Sequence, residues 1–254
     1  MKKRENCKLI RKTEIASGIF DFVVASEEMA REAQCGQFLH IDCGKGTFLR
    51  RPISICDAQN GEVRFIFEVK GEGTKALSEK EVGDSIDIMG PLGHGFEIKD
   101  SVKNPVIIGG GIGIFPLYKL AKQMNAKVFL GFRSKDRVVM EKEFEAVSDM
   151  VIVGTDDGSY GYEGYIASAM EQYLGFNECD MIYSCGPMPM LRVVKKIAEE
   201  RGIPCQISLE QRMGCGIGAC LVCSCETKHE GTEKYAKVCT NGPVFYSEEV
   251  TLND

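Results

Sequence analysis

The chain has 254 residues, of which 44% are apolar and 27% charged, so it is long enough for two or three domains with ordinary cores. Its net charge of −6 argues against nucleic-acid partners, whose phosphates require a basic surface. There is no apolar run of roughly 18 residues, and Glu14 and Asp21 interrupt the basic start of the chain. We therefore expect a cytoplasmic protein with no membrane span and no export signal.

The first hundred residues predict an N-terminal antiparallel β-barrel domain, residues 1–100. Short β-prone segments alternate there with clusters of Gly, Asp and Asn, which is typical of antiparallel barrels and sandwiches. The predicted strands are Ile19–Val24, Gln37–Asp42, Val63–Val69 and Ser85–Met89. The segment Gly90–Phe96 follows them, and its glycine and proline content predicts an irregular end to this domain.

Strands and helices alternate after Pro105. The predicted strands are Val106–Ile108, Val128–Phe132, Met150–Val153, Met181–Ser184 and Gln206–Leu209. The predicted helices follow the first strand up to Gln123 and then cover Glu141–Val147, Ala167–Leu174 and Pro187–Arg201. This alternation is typical of a parallel sheet with crossover helices. We expect an α/β nucleotide-binding domain over residues 101–205 and a small cysteine-rich domain over residues 206–254, which makes the chain an α+β multidomain protein.

Five of the twelve cysteines lie close together near the end of the chain. Three of them follow the spacing C-x4-C-x2-C, and fifteen residues separate the third from a fourth: Cys215, Cys220, Cys223 and Cys239. This is the plant-type spacing of a 2Fe–2S cluster, which needs four thiolates. Interleaved glycines allow the backbone to wrap closely around such a cluster. The fifth, Cys225, is either a bystander or a replacement for Cys223.

A structural zinc site is the alternative interpretation of these cysteines. Zinc sites commonly use two C-x2-C pairs or a mixture of Cys and His. Only one such pair is present, Cys220 and Cys223, and His229 has no suitable partner. We therefore favour the iron–sulfur cluster. The other cysteines are scattered in apolar surroundings and are expected to be small buried hydrophobes: Cys7, Cys35, Cys43, Cys56, Cys179, Cys185 and Cys205.

A glycine-rich turn opens the first helix of the α/β domain. It contains Gly109, Gly110, Gly111 and Gly113. Glycines at this point let backbone N–H groups approach a pyrophosphate, although similar turns occur without a nucleotide. No acidic residue ends the second strand, where a ribose would be held, so the sequence alone leaves NAD and NADP open.

The tetrapeptide Arg51-Pro52-Ile53-Ser54 is a second candidate binding motif. Arginine is a bidentate partner for a pyrophosphate. Proline holds the chain extended, so that the Ser54 hydroxyl can point at a ring nitrogen. Taken alone, the tetrapeptide is better explained as an ordinary edge strand that begins with proline.

The motifs carry more weight in combination. Arg51–Ser54, the glycine-rich turn and Cys185-Gly186-Pro187 occur in an order that resembles the ferredoxin–NADP reductase superfamily. With the C-terminal cysteines, nearly the whole chain resembles more closely the electron-transfer subunits of type B dihydroorotate dehydrogenase. Further matching segments are Gly36–Phe38, Gly71–Thr74, Met89–Phe96, Thr155–Gly161 and Val238–Phe245.

The resemblance implies an FAD site in the β domain. Arg51 would bind phosphate, and Ser54 would lie near flavin N5, with Pro52 and Ile53 between them. Contacts to the flavin would come from Ile66, Phe67 and Glu68, and contacts to the diphosphate from Gly73 and Thr74. Many members of the family have Tyr-Arg where this chain has Phe67-Glu68, so a phosphate contact from Glu68 is not implied.

The resemblance also implies a site for NAD in the α/β domain. The residues around it would be Gly109, Gly110, Gly111, Gly113, Thr155, Asp156, Asp157, Cys185, Gly186 and Pro187. Ser54 and Cys185 would then be the residues nearest the hydride-transfer point. A buried cysteine at the end of a strand explains Cys185 equally well.

The resemblance further implies a partner protein. In this family a catalytic subunit that carries FMN oxidises dihydroorotate to orotate in pyrimidine biosynthesis, NAD+ is the final acceptor, and two copies of each subunit form a heterotetramer. A ferredoxin–NAD(P) reductase or sulfide dehydrogenase-type subunit is the alternative enzyme. That group can replace one cluster cysteine by aspartate, whereas all four positions are Cys here. The non-enzymatic alternative is a metal-binding, redox-sensing module.

Overall fold

The computed structural model describes residues 3–44, 46–228 and 234–252. His229, considered above as a zinc ligand, lies outside these ranges. The expected architecture is confirmed: an antiparallel barrel, a parallel-sheet nucleotide-binding domain and a C-terminal cysteine-rich unit. Within the described ranges, no helix is both long enough and apolar enough to cross a membrane.

The N-terminal domain is a closed barrel of six antiparallel strands in the order β1-β2-β5-β4-β3-β6. The strands are β1 (Lys3–Ala16), β2 (Ile19–Ala25), β3 (Phe38–Ile41), β4 (Arg51–Gln59), β5 (Glu62–Glu68) and β6 (Ser85–Leu92). Two short helices cover it, α1 (Glu27–Glu32) and α2 (Glu72–Ser78). Side chains that point inward on alternate positions, such as Leu39 and Ile41 of β3, fill the barrel.

The expectation that Gly90–Phe96 is irregular throughout is wrong for its first three residues. They belong to β6, which pairs with β1 on one side and β3 on the other. The pairing of β6 with β3 shifts register between Phe38 and His40, and such an irregularity tolerates a proline inside a strand. Leu39 packs closely against Gly90, and a Cβ at residue 90 would lie only 2.8 Å from Leu39 Cδ2. A side chain at this position would therefore clash with Leu39.

The second domain is built on a seven-stranded sheet in the order β10-β9-β8-β7-β11-β12-β15. All its pairs are parallel except the last, β12 with β15. The strands are β7 (Pro105–Gly110), β8 (Lys127–Phe132), β9 (Met150–Thr155), β10 (Tyr162–Glu163), β11 (Met181–Cys185), β12 (Cys205–Ser208) and β15 (Val244–Tyr246). The helices are α3 (Phe115–Ala121), α4 (Glu141–Glu145), α5 (Ile166–Leu174) and α6 (Met188–Arg201).

The C-terminal unit is a loop structure with one small hairpin. Strands β13 (Ser224–Glu226) and β14 (Tyr235–Lys237) form this hairpin, and the cysteine loop precedes it. The chain then returns to the α/β sheet through β15, which ties the unit to the second domain. Cys223, Cys225 and Cys239 share a hydrophobic core with α5 and α6. The expected boundaries near residues 100 and 205 stay predictions, and β12 spans the second of them.

Ion pairs join the barrel to the α/β domain. Arg64 Nη1 lies 2.5 Å from Glu143, and Lys122 Nζ lies 2.7 Å from Asp57. Arg137 pairs with Glu68 at the end of β5. Such partly buried, hydrogen-bonded pairs fix geometry more than they add stability. They hold the two domains in one orientation and so define the cleft between them.

Candidate functional site

A cavity of about 490 Å³ lies where the three domains meet. The barrel contributes one wall through β4 and β5, and the α/β domain contributes Ile112, Phe115 and Cys185. The segment before the cysteine loop closes the cavity with Glu210, Gln211, Arg212 and Met213. Nine of the residues predicted from the sequence line it: Arg51, Pro52, Ile53, Ser54, Ile66, Phe67, Glu68, Thr74 and Cys185.

Arg51 and Gly73 form one corner of this cavity. The Arg51 guanidinium packs directly over Gly73, where a Cβ would lie only 2.6 Å from Nε. Thr74, beside it, closes the start of α2 by accepting a hydrogen bond from the Gly71 N–H at 3.2 Å. A guanidinium beside a residue without a side chain fits the diphosphate of FAD.

Glu68 faces the same cavity, but its charge is already paired. It accepts a hydrogen bond from Arg137 and lies 3.3 Å from Lys70 Nζ. This explains why an acidic residue is tolerated beside a phosphate-binding corner, where the resembled family often has arginine. The role of Glu68 in the structure is to connect the barrel to the α/β domain.

The glycine-rich turn and the Cys185-Gly186-Pro187 loop lie against each other. A Cβ on Gly113 would lie 2.5 Å from Gly186 Cα, and a Cβ on Gly186 would lie 2.9 Å from the Gly110 nitrogen. Both segments follow the carboxyl ends of neighbouring parallel strands, β7 and β11. Ligands of open α/β sheets bind at this edge, and only glycine allows the two backbones to approach so closely.

The segment Thr155–Asp157 lies at the same edge but outside the cavity lining. The Thr155 hydroxyl is buried and is used inside the turn, where it donates to the Tyr160 carbonyl at 2.8 Å. Asp157 accepts hydrogen bonds from Ser159, which keep its pKa below the usual value. A contribution of this segment to nucleotide binding stays a prediction.

Sequence reasoning missed Glu210. The Glu210 side chain is exposed to solvent inside the cavity, but protein surrounds the cavity. The resulting desolvation raises the pKa of Glu210, and the positive charge of Lys70 opposes this rise. Burial, and next the charge of Glu210, raise the pKa of Cys185. The signal that could have found Glu210 is its position just after the predicted strand Gln206–Leu209 and five residues before Cys215.

The four predicted cluster cysteines come together in pairs. Cys220 acts on the pKa of Cys215, which places these two thiols side by side, and Cys223 Sγ accepts a hydrogen bond from the Cys239 N–H at 3.5 Å. The described residues contain no group of three His, Cys, Asp or Glu side chains that converges on one metal ion. A structural zinc site needs four ligands at one point, whereas a 2Fe–2S cluster shares four thiolates between two irons. The arrangement therefore fits the cluster better than zinc.

The loop backbone also prepares Cys215 as a thiolate. Its Sγ accepts hydrogen bonds from the N–H groups of Ile217 at 3.4 Å and Ala219 at 3.3 Å. Partial burial raises the pKa of Cys215, but hydrogen bonds from the loop backbone and from Cys220 outweigh this effect and bring the pKa to about 6. The loop can curl in this way because Gly216 and Gly218 adopt positive φ angles of 69° and 85°.

Cys225 shares a hydrophobic core with Cys223 and Cys239 but lies outside the cysteine loop. It lies in β13, paired with Ala236, and is buried in the core. Burial raises the pKa of its thiol. This placement favours Cys223 over Cys225 as the third cluster ligand, as the spacing indicated.

The cysteine loop itself carries exposed apolar residues, which we call the apolar rim. It consists of Ile217, Leu221 and Val222, whose exposed fractions are 49%, 60% and 55%. Met213, in contrast, is buried. Exposed apolar side chains clustered around a site are typical of a docking surface.

The sequence matches known families along nearly its whole length. Residues 6–96 match the oxidoreductase FAD-binding domain, and residues 107–196 match the oxidoreductase NAD-binding domain. Residues 210–251 match the iron–sulfur cluster binding domain of dihydroorotate dehydrogenase B. These three matches correspond to the barrel, the α/β domain and the cysteine-rich unit of the structure.

Curated relatives align with this chain over nearly their whole length. The electron transfer subunit of dihydroorotate dehydrogenase B (NAD(+)) from Caldanaerobacter subterraneus subsp. tengcongensis is 40% identical over 251 residues, which cover 98% of this chain and 99% of the relative. The corresponding subunit from Bacillus pumilus is 41% identical over 264 residues, which cover 99% of each chain.

Solved structures share the fold. An NADH-dependent reduced ferredoxin-NADP oxidoreductase, described for flavin-based electron bifurcation, superimposes with a TM-score of 0.88 at 33% identity and covers 98% of this chain and 90% of its own. The cytochrome b5 reductase domain of Ulva prolifera nitrate reductase has a TM-score of 0.66 at 20% identity, over 81% of this chain and 97% of its own, and supports the fold alone.

Proposed function

Because this chain belongs to the family of dihydroorotate dehydrogenase B electron transfer subunits, we propose that it passes electrons from a dihydroorotate-oxidising catalytic subunit to NAD+. The observation that carries this proposal is the shared cavity. Its walls come from the FAD-binding barrel, the NAD-binding sheet and the segment that leads into the cluster loop. One chain thereby holds three redox sites next to one another.

The chain's own residues have distinct roles in this proposal. Arg51 binds the FAD diphosphate, helped by the open surface of Gly73 and by Thr74. The Ser54 hydroxyl would donate a hydrogen bond to the flavin ring, and Ile66 and Phe67 would line the ring through their backbone. When bound, FAD supplies the conversion between the two-electron chemistry of nicotinamide and the one-electron chemistry of an iron–sulfur cluster.

The nicotinamide nucleotide binds at the edge where Gly110, Gly113 and Gly186 meet. The absence of side chains at these positions leaves the backbone N–H groups accessible to a pyrophosphate. Cys185 and Glu210 border the cavity where the nicotinamide approaches the flavin. Four thiolates hold the cluster: Cys215, Cys220, Cys223 and Cys239.

The partner is a catalytic subunit that carries FMN, and it docks on the apolar rim of Ile217, Leu221 and Val222. This rim lies beside the cluster ligands, where electrons must enter the chain. The complete enzyme contains two copies of each subunit. We place it in the cytoplasm because none of the twelve cysteines forms a disulfide, which suits a reducing compartment.

The second candidate function is that of a ferredoxin–NAD(P) reductase or sulfide dehydrogenase-type subunit. It is favoured by the 33% identity with the NADH-dependent reduced ferredoxin-NADP oxidoreductase over 98% of this chain. The partner in that case carries further iron–sulfur clusters instead of FMN. The four cysteines at the ligand positions and the 40% identity to the dihydroorotate dehydrogenase subunits favour the first function.

Purification of the tagged chain from its own cells tests this proposal. The expected result is a complex with one untagged subunit in equal amount, containing FAD, FMN and about two irons per tagged chain. Native mass should correspond to two copies of each subunit. A partner that carries additional clusters and no FMN would instead assign the second function.

A further inference from the structure

His40 occupies an unusual place between the flavin cavity and the cluster loop. It lies on β3, two residues after Phe38, so the two side chains leave the same face of the strand. Phe38 lines the cavity. The His40 ring packs against Gly216, where a Cβ would lie 2.6 Å from Nδ1. Gly216 directly follows the cluster ligand Cys215.

The imidazole is buried without a polar partner. His40 is only 1% exposed, and neither Nδ1 nor Nε2 of its ring has a hydrogen-bond partner within the described part of the chain. The Arg50 carbonyl lies near the ring but outside hydrogen-bonding geometry. Buried polar side chains are almost always hydrogen-bonded, so a ring with two unsatisfied nitrogens indicates a group that binds there.

The neighbours of His40 point to the cluster rather than the flavin. His40 is not among the residues that line the cavity, and its ring lies against the cluster loop at Gly216. Burial lowers the pKa of His40 to about 4, and the positive charge of Arg50 adds to this effect. A neutral imidazole has one N–H to donate, and cluster sulfurs accept hydrogen bonds.

We propose that His40 is a positioning residue of the cluster site, whose ring N–H donates a hydrogen bond to a sulfur atom of the bound 2Fe–2S cluster or of its Cys215 ligand. A donor in this place stabilises the more negative, reduced cluster and therefore raises its reduction potential. The inference rests on the cluster of the proposed function and is independent of the dihydroorotate partner. It also explains why residue 216 is glycine, since a side chain there would displace the ring.

The test compares reduction potentials in the cofactor-loaded chain. His40→Leu removes the N–H and keeps an apolar side chain of similar size, whereas His40→Asn and His40→Gln keep an amide donor. Met89→Leu is the matched control, since Met89 pairs with His40 across β3 and β6 and also packs against the core that holds the cluster cysteines. An EPR-monitored titration gives the cluster potential, and visible absorbance gives the FAD potential and the cluster content.

We expect His40→Leu to lower the cluster potential by about 59 mV, which is a tenfold change in a one-electron equilibrium. The FAD potential should not move, Met89→Leu should behave as the unmodified chain, and one of the two amide variants should restore the cluster potential. A His40→Leu chain with a full cluster and an unchanged cluster potential contradicts the inference. So does a shift in the FAD potential alone.

A second measurement can refute the inference in the unmodified chain alone. The sequence has only three histidines, so the chain can be labelled with 15N in the imidazole rings alone. Pulsed EPR of the reduced cluster in the unmodified chain should then show a coupling to a 15N nucleus, which disappears in His40→Asn. No 15N coupling in the unmodified chain refutes the hydrogen bond. A chain without any iron–sulfur cluster would refute the proposed function itself, which is a different outcome.

Discussion

The Arg51 guanidinium lies directly over Gly73, so close that any Cβ at residue 73 would lie 2.6 to 2.8 Å from three of its atoms. The two residues come from different elements, since Arg51 begins β4 and Gly73 lies in the first turn of α2. Arg51 also hydrogen-bonds the Leu49 carbonyl, which orients the side chain along the mouth of the cavity. This corner of the barrel is therefore a preformed place for a phosphate group.

Removal of the guanidinium should weaken FAD binding. Charge-assisted hydrogen bonds contribute roughly 1.5–3 kcal/mol each, so Arg51→Ala should reduce FAD affinity about tenfold or more. Fluorescence titration of the deflavinated chain with FAD measures this affinity. Cluster content is the internal control and should not change. FAD that stays bound through dialysis as in the unmodified chain would argue against this role of Arg51.

A methyl group at residue 73 should have a related effect without removing any charge. Gly73→Ala forces the guanidinium to move, and FAD affinity should fall, though by less than in Arg51→Ala. Gly71→Ala is the matched control, because a Cβ there meets no atom within 4 Å and its φ of −171° suits any residue. Equal FAD affinities of the two glycine variants would show that the close approach at residue 73 is irrelevant to binding.

The arrangement of the cysteines predicts which four of the five neighbouring cysteines bind the cluster. Alanine at Cys215, Cys220, Cys223 or Cys239 should abolish the cluster or leave it incomplete. Cys225→Ala should keep about two irons and two sulfides per chain, because Cys225 lies in β13 outside the cysteine loop and the spacing assigns Cys223 as the third ligand. Iron and sulfide analysis of anaerobically prepared protein measures the result. Loss of the cluster in Cys225→Ala with retention in Cys223→Ala would reverse the ligand assignment, and zinc without iron would exclude the cluster.

Much of the fold could be predicted because its signals are local. The buried run Val128–Phe132 predicts β8 to within one residue, and the predicted helix Pro187–Arg201 ends at Gly202, which adopts the left-handed conformation typical of glycine after a helix. β1 was not predicted because only Cys7 and Leu9 of its fourteen residues are buried. The other positions are mostly polar or charged, so the sequence does not show the alternation of apolar and polar residues that is typical of a strand. β15 was missed because three residues carry no usable pattern, and its pairing with β12 is set by the whole tail.

Residues of the candidate site could be predicted from the sequence when they belong to a motif. Residues that only the fold brings to the site could not. Arg51, Ser54 and the four cysteines belong to motifs with a known spacing. Glu210 and His40 have no motif. They reach the site because β12 ends at the cavity and because β3 lies against the cluster loop, and such long-range contacts leave no trace in a local pattern.

The apolar rim should be needed for electron transfer between subunits. Ile217→Asp places a charge in the proposed interface and should weaken partner binding by tenfold or more, because burying an unpaired charge is costly. NADH oxidation with artificial acceptors should stay within about twofold of normal. Phe176→Asp, at an exposed aromatic residue just beyond α5, is the matched control. Partner binding that is equally affected, or equally unaffected, in both variants would rule out this rim as the docking surface.

Reconstitution with the partner tests the central claim most directly. The purified, cofactor-loaded chain is mixed with the FMN-containing dihydroorotate dehydrogenase subunit of the same organism, dihydroorotate and NAD+ are added, and NADH formation is followed at 340 nm. We expect NADH only when both subunits are present, while this chain alone oxidises NADH with artificial acceptors and leaves dihydroorotate unchanged. Dihydroorotate oxidation by this chain alone, or no NADH from the mixture together with efficient coupling to ferredoxin, would contradict the assignment.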